Sequence, residues 1–254
     1  MISQKKCREY RVELEEVLRE IAAVSEQPKF ESLQDYLGTG IPVLGLRSAQ
    51  INDCFRTGFP WDELPMDDQW AVWQHIWFES QVFEAMSLAL IFVRKRARKI
   101  GQERLYSDLP AWVDRVDNWA HSDELSHAYA VLLEQEQKRI FSMLKKWNRD
   151  SDPWKRRQSL VVLIRRRNKH TLAFEEMIPL IERLVSDDDY FVQKAVGWAL
   201  RDIALVFPEP TETWVEAHVA ELSSPAFATA SERTHPTLKE AWKEVRRMER
   251  KRRK

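Results

Sequence analysis

Hydrophobic positions along this chain recur mostly with the period of an α-helix. Residues 190–202, YFVQKAVGWALRD, show the pattern most clearly. At 100° per residue, one stripe of this segment collects Val192, Val196, Leu200 and Ile203. Three aspartates at positions 187–189 precede it, where an N-cap and a first turn favour acidic side chains. The stripe is therefore predicted to be the core face of a helix.

Similar patterns predict helices along the rest of the chain, with short breaks between them. The predicted segments are approximately 3–25, 30–36, 48–59, 66–77, 79–100, 107–116, 118–147, 150–168, 173–186, 211–224 and 232–254. Asp152 and Pro153 have the residue types of a cap and a first helical position. The helices come in pairs, which favours one α-solenoid domain of two-helix repeats over residues 1–254. A globular helical bundle is the alternative.

Composition supports the all-α class and indicates the cellular compartment in which the protein works. The 254 residues include only 6 glycines but 11 tryptophans, and strand-like alternation is rare. Cys7 and Cys54 are the only cysteines, which argues against a disulfide framework and favours a reducing compartment. The N-terminal residues lack the apolar core of a signal peptide, and the longest apolar run, 85–93, is about half a membrane span. These features predict a cytoplasmic protein without a membrane segment.

The zero net charge conceals a strong segregation of charge. Residues 1–92 contain 8 basic and 15 acidic residues, whereas the remainder contains 32 and 25. Between positions 138 and 169, 12 basic residues accompany only Asp150 and Asp152. Such segregation can create a local positive field that the total hides, so a nucleic-acid partner is compatible with this sequence. The last residues, 246–254, form a basic tail that is predicted to be a frayed helix end.

Trp198 is unusual within its predicted helix. It points roughly 140° away from the apolar stripe, on the same side as Lys194 and Arg201, which lie one turn before and after it. In a solenoid, such an outward-pointing side chain would lie on the concave surface where a partner can bind. The alternative is a tryptophan at the rim of the core.

A second candidate pair lies in residues 118–134. If Asn118 caps this helix, Trp119 and Asp123 occupy positions i and i+4 and share a face. Leu125, Tyr129 and Leu132 then cluster on another side and are predicted to face the core. The alternatives are that Asp123 is itself the N-cap of a later helix and that Trp119 packs into the core at a helix junction.

The basic segment 154–170 offers candidate phosphate-binding residues. Arg157 falls near the centre of the apolar arc of its helix, where a guanidinium needs an anion. Lys155, Arg156 and the arginines at 165–167 spread around the remaining circumference. Phosphate contacts would explain so many cations, and a solvated helix face is the alternative.

Several kinds of chemistry are disfavoured by missing motifs. The sequence has no glycine-rich phosphate loop, no HExxH motif and no nucleophile elbow. Its six histidines are scattered, and His121 and His127 lie six residues apart on different helix faces. No metal site and no cofactor are therefore predicted.

Three segments together resemble a known family. NWAHSD, DPWKRRQSLVVL and FVQKAVGWALRDIA follow the order and spacing of AlkD-type DNA alkylation repair proteins, which are HEAT-like-repeat alkylpurine DNA glycosylases. GTGIPVLGLRSAQIN is similar to their early Gly-Pro-Gly loop, and SSPAFATASERTHPTLKEAWK to their closing segment. The likeness covers roughly residues 25–245. It implies an α-solenoid with a concave, basic groove that holds duplex DNA, and excision of cationic purines such as 3-methyladenine and 7-methylguanine.

The resemblance also implies roles for individual residues. By matching motif, Trp119, Asp123 and Trp198 correspond to the family's catalytic trio, and Arg157 and Arg201 to its arginines that bind the DNA backbone. Lys155, Arg156 and Lys194 are predicted to add phosphate contacts. Ala120-His121-Ser122 departs from the residues that are frequent in the family between the tryptophan and the aspartate, which suggests a subgroup with another substrate preference.

The predicted function is thus a monomeric, cofactor-independent alkylpurine DNA glycosylase acting on alkylated double-stranded DNA. A non-catalytic protein that binds DNA structure on the same scaffold is the main alternative. A protein-interaction scaffold is a further alternative, but it would not require a tryptophan between cations.

Overall fold

A computed structural model describes residues 1–25, 32–164 and 172–252. These residues form fourteen α-helices and one 3-10 helix, and they contain no β-strand. The predicted all-α class is therefore confirmed. The chain divides into two compact units, Met1–Ala128 and Tyr129–Lys254, and the division falls within a helix. The predicted concave groove stays a prediction.

The first unit contains six complete helices, a 3-10 helix and the start of a seventh helix. The helices are α1 (Gln4–Ala23), α2 (Leu33–Leu37), α3 (Ser48–Thr57), α4 (Met66–Glu79), α5 (Phe83–Ile100) and α6 (Gln102–Asp108), followed by the 3-10 helix Leu109–Arg115 and α7 (Trp119–Gln135). Helix α4 packs against α1 and α5, and α3 also packs against α5. Helix α4 continues to Glu79 and residues 80–82 follow it, so α5 begins at Phe83, four residues later than predicted.

Aromatic packing dominates the core of the first unit. Trp61, Trp73, Trp77 and Trp112 are completely buried. The Trp77 and Trp112 rings stack with centroids 5.2 Å apart, and Trp61 meets Trp73 edge to face at 5.3 Å. Large aromatic side chains contribute strongly to burial, and their stacked pairs add specific geometry. This core accounts for much of the high tryptophan content.

The second unit contains the end of α7 and seven further helices. They are α8 (Gln137–Trp147), α9 (Pro153–Ile164), α10 (Phe174–Glu182), α11 (Tyr190–Ile203), α12 (Pro208–His218), α13 (Ser224–Ala230) and α14 (Pro236–Arg252). The pairs α8–α9, α10–α11 and α12–α13 follow one another, and their second helices pack in series: α9 on α11, and α11 on α13. Such stacking is typical of helical repeats.

Helix α11 has the predicted core face. Val192, Val196 and Ile203 are fully buried, and Leu200 is nearly so. The Asp189 carboxylate accepts hydrogen bonds from the amides of Phe191 and Val192, so it forms the expected N-cap. Gly197 lets α13 approach closely, because a Cβ atom there would lie 2.2 Å from the carbonyl oxygen of Ala226. Gly197 therefore permits the close packing of α11 against α13.

The boundary between α7 and α8 differs from the prediction. The single helix expected over 118–147 is two helices, because the backbone leaves the helical region at Glu136 (φ −131°, ψ 60°). Gln135, Glu136 and Gln137 all favour helices, so local propensity does not reveal this break. Tertiary packing supplies the reason: beyond the break, Ile140, Phe141 and Leu144 are buried.

Three short or terminal features also differ from expectation. Helices α6 and α13 were not predicted, since each spans only seven residues. Helix α14 continues through Arg252, and Arg246 is buried, so the tail does not fray from residue 246.

Parts of the predicted helices 30–36 and 150–168, including Arg165, Arg166 and Arg167, lie outside the described residues.

Candidate functional site

The N-terminus of α7 presents the first candidate pair. The Asn118 side chain accepts a hydrogen bond from the amide of His121 at 2.8 Å, as expected of a cap. The helix begins at Trp119, which places Asp123 in its second turn. Asp123 is therefore not an N-cap, and it shares a helix face with Trp119. Both side chains are half-buried, whereas Leu125 and Tyr129 are in the core as predicted.

Trp119 is held in a fixed orientation by α2. Its indole nitrogen donates to the carbonyl oxygen of Tyr36 at 2.9 Å, and the two rings meet edge to face with centroids 5.6 Å apart. Tyr36 is itself 52% exposed. Among the eleven tryptophans, only Trp119, Trp154 and Trp198 are not buried. The partial exposure of Trp119 thus distinguishes it from the tryptophans that build the core.

Two carboxylates hold the loop between α2 and α3. Asp117 accepts hydrogen bonds from the Thr39 hydroxyl and the Gly40 amide at 2.8 and 2.9 Å. Glu84, only 1% exposed, accepts from three successive loop amides, those of Leu44, Gly45 and Leu46. Burial raises the pKa of Glu84, while these amides oppose that shift by stabilising its charged form. The loop that resembles the family's Gly-Pro-Gly segment is therefore anchored next to α7.

The residues between Trp119 and Asp123 support the helix from within. His121 and Ser122 are buried, and the His121 ring stacks on Phe83 with centroids 4.2 Å apart. The His121 Nδ1 atom faces the Asn118 amide group at 2.9 Å, while Nε2 lies 3.2 Å from the Phe83 carbonyl oxygen. Burial lowers the pKa of His121 to about 4. This neutral histidine therefore fixes the first turn of α7.

In the second unit, Trp198 lies on the face of α11 opposite the core stripe. The side chain is half-buried, Lys194 is exposed, and the Arg201 guanidinium lies 5.8 Å from the indole centroid. The indole nitrogen donates to Asp202 at 3.1 Å. The predicted face with two cations thus also contains a carboxylate, four residues after the tryptophan.

Arg201 is surrounded by acidic side chains. Its Nε atom donates to Asp202 at 2.9 Å, and its Nη1 atom pairs with Glu232. Burial by itself would lower the pKa of Arg201, but these two carboxylates raise it above the ordinary value. Arg233 lies 3.9 Å from the same Asp202 oxygen. Asp202 and Glu232 therefore compensate much of the charge that Arg201 was predicted to offer to phosphates.

The predicted cations of α9 differ in what they contact. Arg156 forms a two-point ion pair with Asp187 at 2.6 and 3.1 Å and also donates to the carbonyl oxygens of Asp150 and Ser151. Lys155 lies 3.6 Å from the Asp150 carboxylate. Arg156 thus joins α9 to the loop before α11, which is a structural arrangement.

Arg157 is in the core of the second unit. Only 3% of this residue is exposed, and its Nη1 atom donates to the carbonyl oxygen of Phe191 at 2.8 Å. An anion was predicted beside this guanidinium; in the structure, its Nη1 atom donates to a backbone carbonyl oxygen. Little of the Arg157 surface is accessible to a phosphate.

Among residues 1–25, 32–164 and 172–252, no group of three or more histidine, cysteine or acidic side chains is arranged to hold a metal ion. Within those ranges, no helix has the length and hydrophobicity needed to cross a membrane.

Comparison with known proteins gives the family. The model of a family described as DNA alkylation repair enzyme matches residues 17–234, which is most of the chain. The chain belongs to this family. The match includes α7, α9 and α11, and so includes every candidate site residue. A search of curated proteins gave no match.

Two solved structures support the fold of this DNA alkylation repair family member. A predicted DNA alkylation repair enzyme from Enterococcus faecalis superposes with a TM-score of 0.65 at 15% identity, covering 84% of this chain and 99% of that one. AlkD2 from Streptococcus mutans superposes with a TM-score of 0.53 at 15% identity, covering 89% of this chain and 98% of that one. At such identities the likeness establishes the helical fold.

Several residues that shape the two candidate surfaces were not predicted from the sequence. Asp202 stands four residues after Trp198, the same spacing that identified Asp123 after Trp119: WAHSD and WALRD share it. This spacing was a usable signal. Tyr36 and Glu232, in contrast, reach Trp119 and Arg201 from distant positions, and nothing in the local sequence indicates those contacts.

Proposed function

We propose that this DNA alkylation repair enzyme is a monofunctional DNA glycosylase that releases cationic alkylated purines, such as 3-methyladenine and 7-methylguanine, from duplex DNA. The observation that carries the proposal is the pair on α7: Trp119 and Asp123, half-buried and one turn apart, at the start of a helix whose first turn is fixed. The enzyme acts as a monomer in the cytoplasm and associates with the nucleoid when it binds DNA.

The chemistry requires few groups because the substrate is activated. A purine alkylated at N3 or N7 carries a positive charge, so it leaves without being protonated by the enzyme. As the glycosidic bond breaks, positive charge develops on the deoxyribose. A carboxylate beside the sugar stabilises this oxocarbenium-like state and can orient the attacking water. Asp123 has this role in the proposal.

The tryptophans bind the reacting nucleotide in this proposal. The fixed Trp119 ring packs against the deoxyribose, and its negative face favours the nearby cationic centre. Trp198 has the equivalent role that the resemblance implies, with Asp202 orienting its indole.

Phosphate contacts are assigned by accessibility. Lys194 is exposed and has no hydrogen bond or ion pair to another described residue, so we assign it a direct contact with the DNA backbone. Arg201 and Lys155 are paired with the carboxylates of Asp202 and Asp150. In the proposal they contact DNA only where a phosphate replaces the carboxylate or binds the cation together with it. Arg156 and Arg157 support α9 and α11 instead.

A base-release assay tests the proposal. Duplex DNA containing 7-methylguanine is incubated with excess protein, and release of the free base is followed in a single turnover. Replacing Asp123 with Asn should retain DNA binding but lower the excision rate about a hundredfold or more, because one preorganised charge interaction is lost. Asp188→Asn is the matched control, since Asp188 is exposed and lies outside both candidate surfaces.

Each outcome distinguishes the two candidate functions. Excision by the wild-type protein that depends on Asp123 supports the glycosylase. Tight binding of duplex without release of base by the wild-type protein would favour the non-catalytic DNA-binding alternative. An Asp123→Asn rate equal to that of Asp188→Asn would remove Asp123 from the mechanism.

A further inference from the structure

A groove between α13 and α14 is lined mainly by cations. Its cavity of about 510 Å³ is bordered by Lys243, Arg246, Arg247, Arg250 and Lys251, together with Ser224 and Phe227 of α13. Among these described lining residues there is no carboxylate. Like charges around one cavity repel each other, so an anion in the groove would lower the electrostatic energy of the unit.

Arg246 is the fixed centre of this groove. It is only 7% exposed, and its Nη1 atom donates to the carbonyl oxygens of Val219, at 2.6 Å, and Leu222. Its Cζ atom lies 4.5 Å from the centroid of the Phe227 ring. No carboxylate pairs with Arg246 in the described part of the chain. Removing a cation from water is costly without an opposite charge.

The other cations of the groove can turn towards a ligand. Arg250 donates to the Ser224 hydroxyl at 3.1 Å, which draws it towards α13. Lys243 and Arg247 pair with Glu240 and Glu244, each three residues earlier on α14. Exposed pairs of this kind contribute little to stability. A phosphate could therefore replace those carboxylates at small cost.

The shape of the charged stripe favours an extended polyanion. Residues 243 and 251 are separated by eight residues, which corresponds to about 12 Å along a helix. One strand of a DNA duplex carries a phosphate about every 3.4 Å along the helix axis. The stripe is therefore long enough to face about three to four consecutive phosphates. A single small anion would engage only part of it.

We propose that this α13–α14 groove is an additional binding site for the phosphate backbone of duplex DNA. It is formed by residues other than the candidate residues of α7, α9 and α11. The inference rests on the proposed function in that the partner is DNA, but it does not depend on catalysis. The groove binds the backbone of unmodified as well as alkylated duplex, because phosphate contacts do not read the base.

The test compares two double substitutions on the same helix. Arg247→Gln/Arg250→Gln removes two groove cations, and Arg246 is left in place because of its structural contacts. Lys239→Gln/Arg252→Gln is the control, since neither residue lines the groove. Binding of a short unmodified duplex is measured by fluorescence anisotropy over a range of KCl concentrations. The groove variant should bind roughly tenfold more weakly, with a salt slope about 1.8 units shallower than that of wild type.

The outcomes separate this site from the proposed activity. Equal losses in both variants, or no loss in the groove variant, would overturn the groove as a DNA contact. Inorganic phosphate at matched ionic strength should compete with the duplex no better than chloride. Preferential displacement by phosphate in wild type but not in the groove variant would instead assign the groove to a small anion. Absence of base excision would disprove the glycosylase while leaving the binding comparison intact.

Discussion

At the scale of single residues, equal charges have unequal roles. Arg156, Arg157 and Lys194 were all predicted to bind phosphates. In the structure, Arg156 forms a two-point ion pair with Asp187, Arg157 is buried and donates to a backbone carbonyl oxygen, and Lys194 is exposed. The number of cations in a helix therefore does not predict how many can reach a ligand. The contacts of each side chain decide it.

A comparison of Arg156→Gln with Lys194→Gln tests this difference. The first substitution breaks a charge-assisted pair and should lower the free energy of unfolding by about 1–3 kcal/mol, with little change in the salt dependence of DNA binding. The second should leave stability unchanged and reduce the salt slope by about 0.9. Urea denaturation and anisotropy titrations measure the two effects. A shallower salt slope in Arg156→Gln with an unchanged slope in Lys194→Gln would identify Arg156, and not Lys194, as the phosphate contact.

The burial of His121 predicts a pH dependence of stability. Its pKa is about 4 in the folded protein and 6.5 ordinarily, so between these values the unfolded chain binds a proton that the folded protein does not. Stability therefore rises with pH across this window and is lost as the pH falls. A shift of this size corresponds to roughly 3 kcal/mol between pH 6.5 and 4. Protonation would also place an N–H against the Asn118 amide group.

Urea denaturation at several pH values measures this effect. His121→Gln should be less stable than wild type near pH 6.5 but should lose less stability on acidification. The exposed His235→Gln variant is the control and should retain the dependence of wild type. Glu84, whose raised pKa acts in the opposite direction, is present in all three proteins and cancels in the comparison. If the free energy of unfolding changed with pH in the same way in His121→Gln and in wild type, His121 would not be the cause of the pH dependence.

At the scale of elements, close helix packing sets the position of the candidate face. Helix α11 packs on α9 and α13, and its core stripe is fully covered. Gly197 stands beside Trp198 and permits the contact with α13, whose residues include Ala226 and Thr229. The orientation of the Trp198 face therefore depends on the absence of a side chain at the neighbouring position.

Gly197→Ala should disturb this packing. The new Cβ atom would meet the Ala226 carbonyl oxygen at 2.2 Å, so backbone must move. Such overpacking costs roughly 1–3 kcal/mol, which exceeds the gain in helix propensity of about 1 kcal/mol. The midpoint of thermal unfolding reports the loss. Gly40→Ala is the matched control, because the nearest atom to its Cβ, on Asp117, is 3.9 Å away. An unchanged midpoint in Gly197→Ala would mean that α13 can shift without cost.

At the scale of the whole molecule, charge is divided along the chain although the net charge is zero. The basic excess of the C-terminal part supplies the exposed Lys194 and the cations of α14. Part of the excess is used internally, since Asp187, Asp202 and Glu232 pair with predicted phosphate-binding arginines. Net charge along a segment therefore gives the sign of the local field but overestimates the charge available to DNA.

The sequence by itself determined the all-α class, most helix positions, the N-caps Asn118, Asp152 and Asp189, and the face that carries Trp198. These features follow from periodicity and cap chemistry, which act between residues close in the chain. The motifs NWAHSD and QKAVGWALRD also sufficed to indicate the family to which the chain belongs.

Only the tertiary structure decided which side chains are accessible and what they contact. Tyr36 holds Trp119, Glu232 pairs with Arg201, and Glu84 holds a loop about 40 residues away in the chain. The break at Glu136 likewise has no local signal. The physical reason is common to all four cases: long-range packing and burial determine the energies of these contacts, and the residues that form them are not neighbours in sequence.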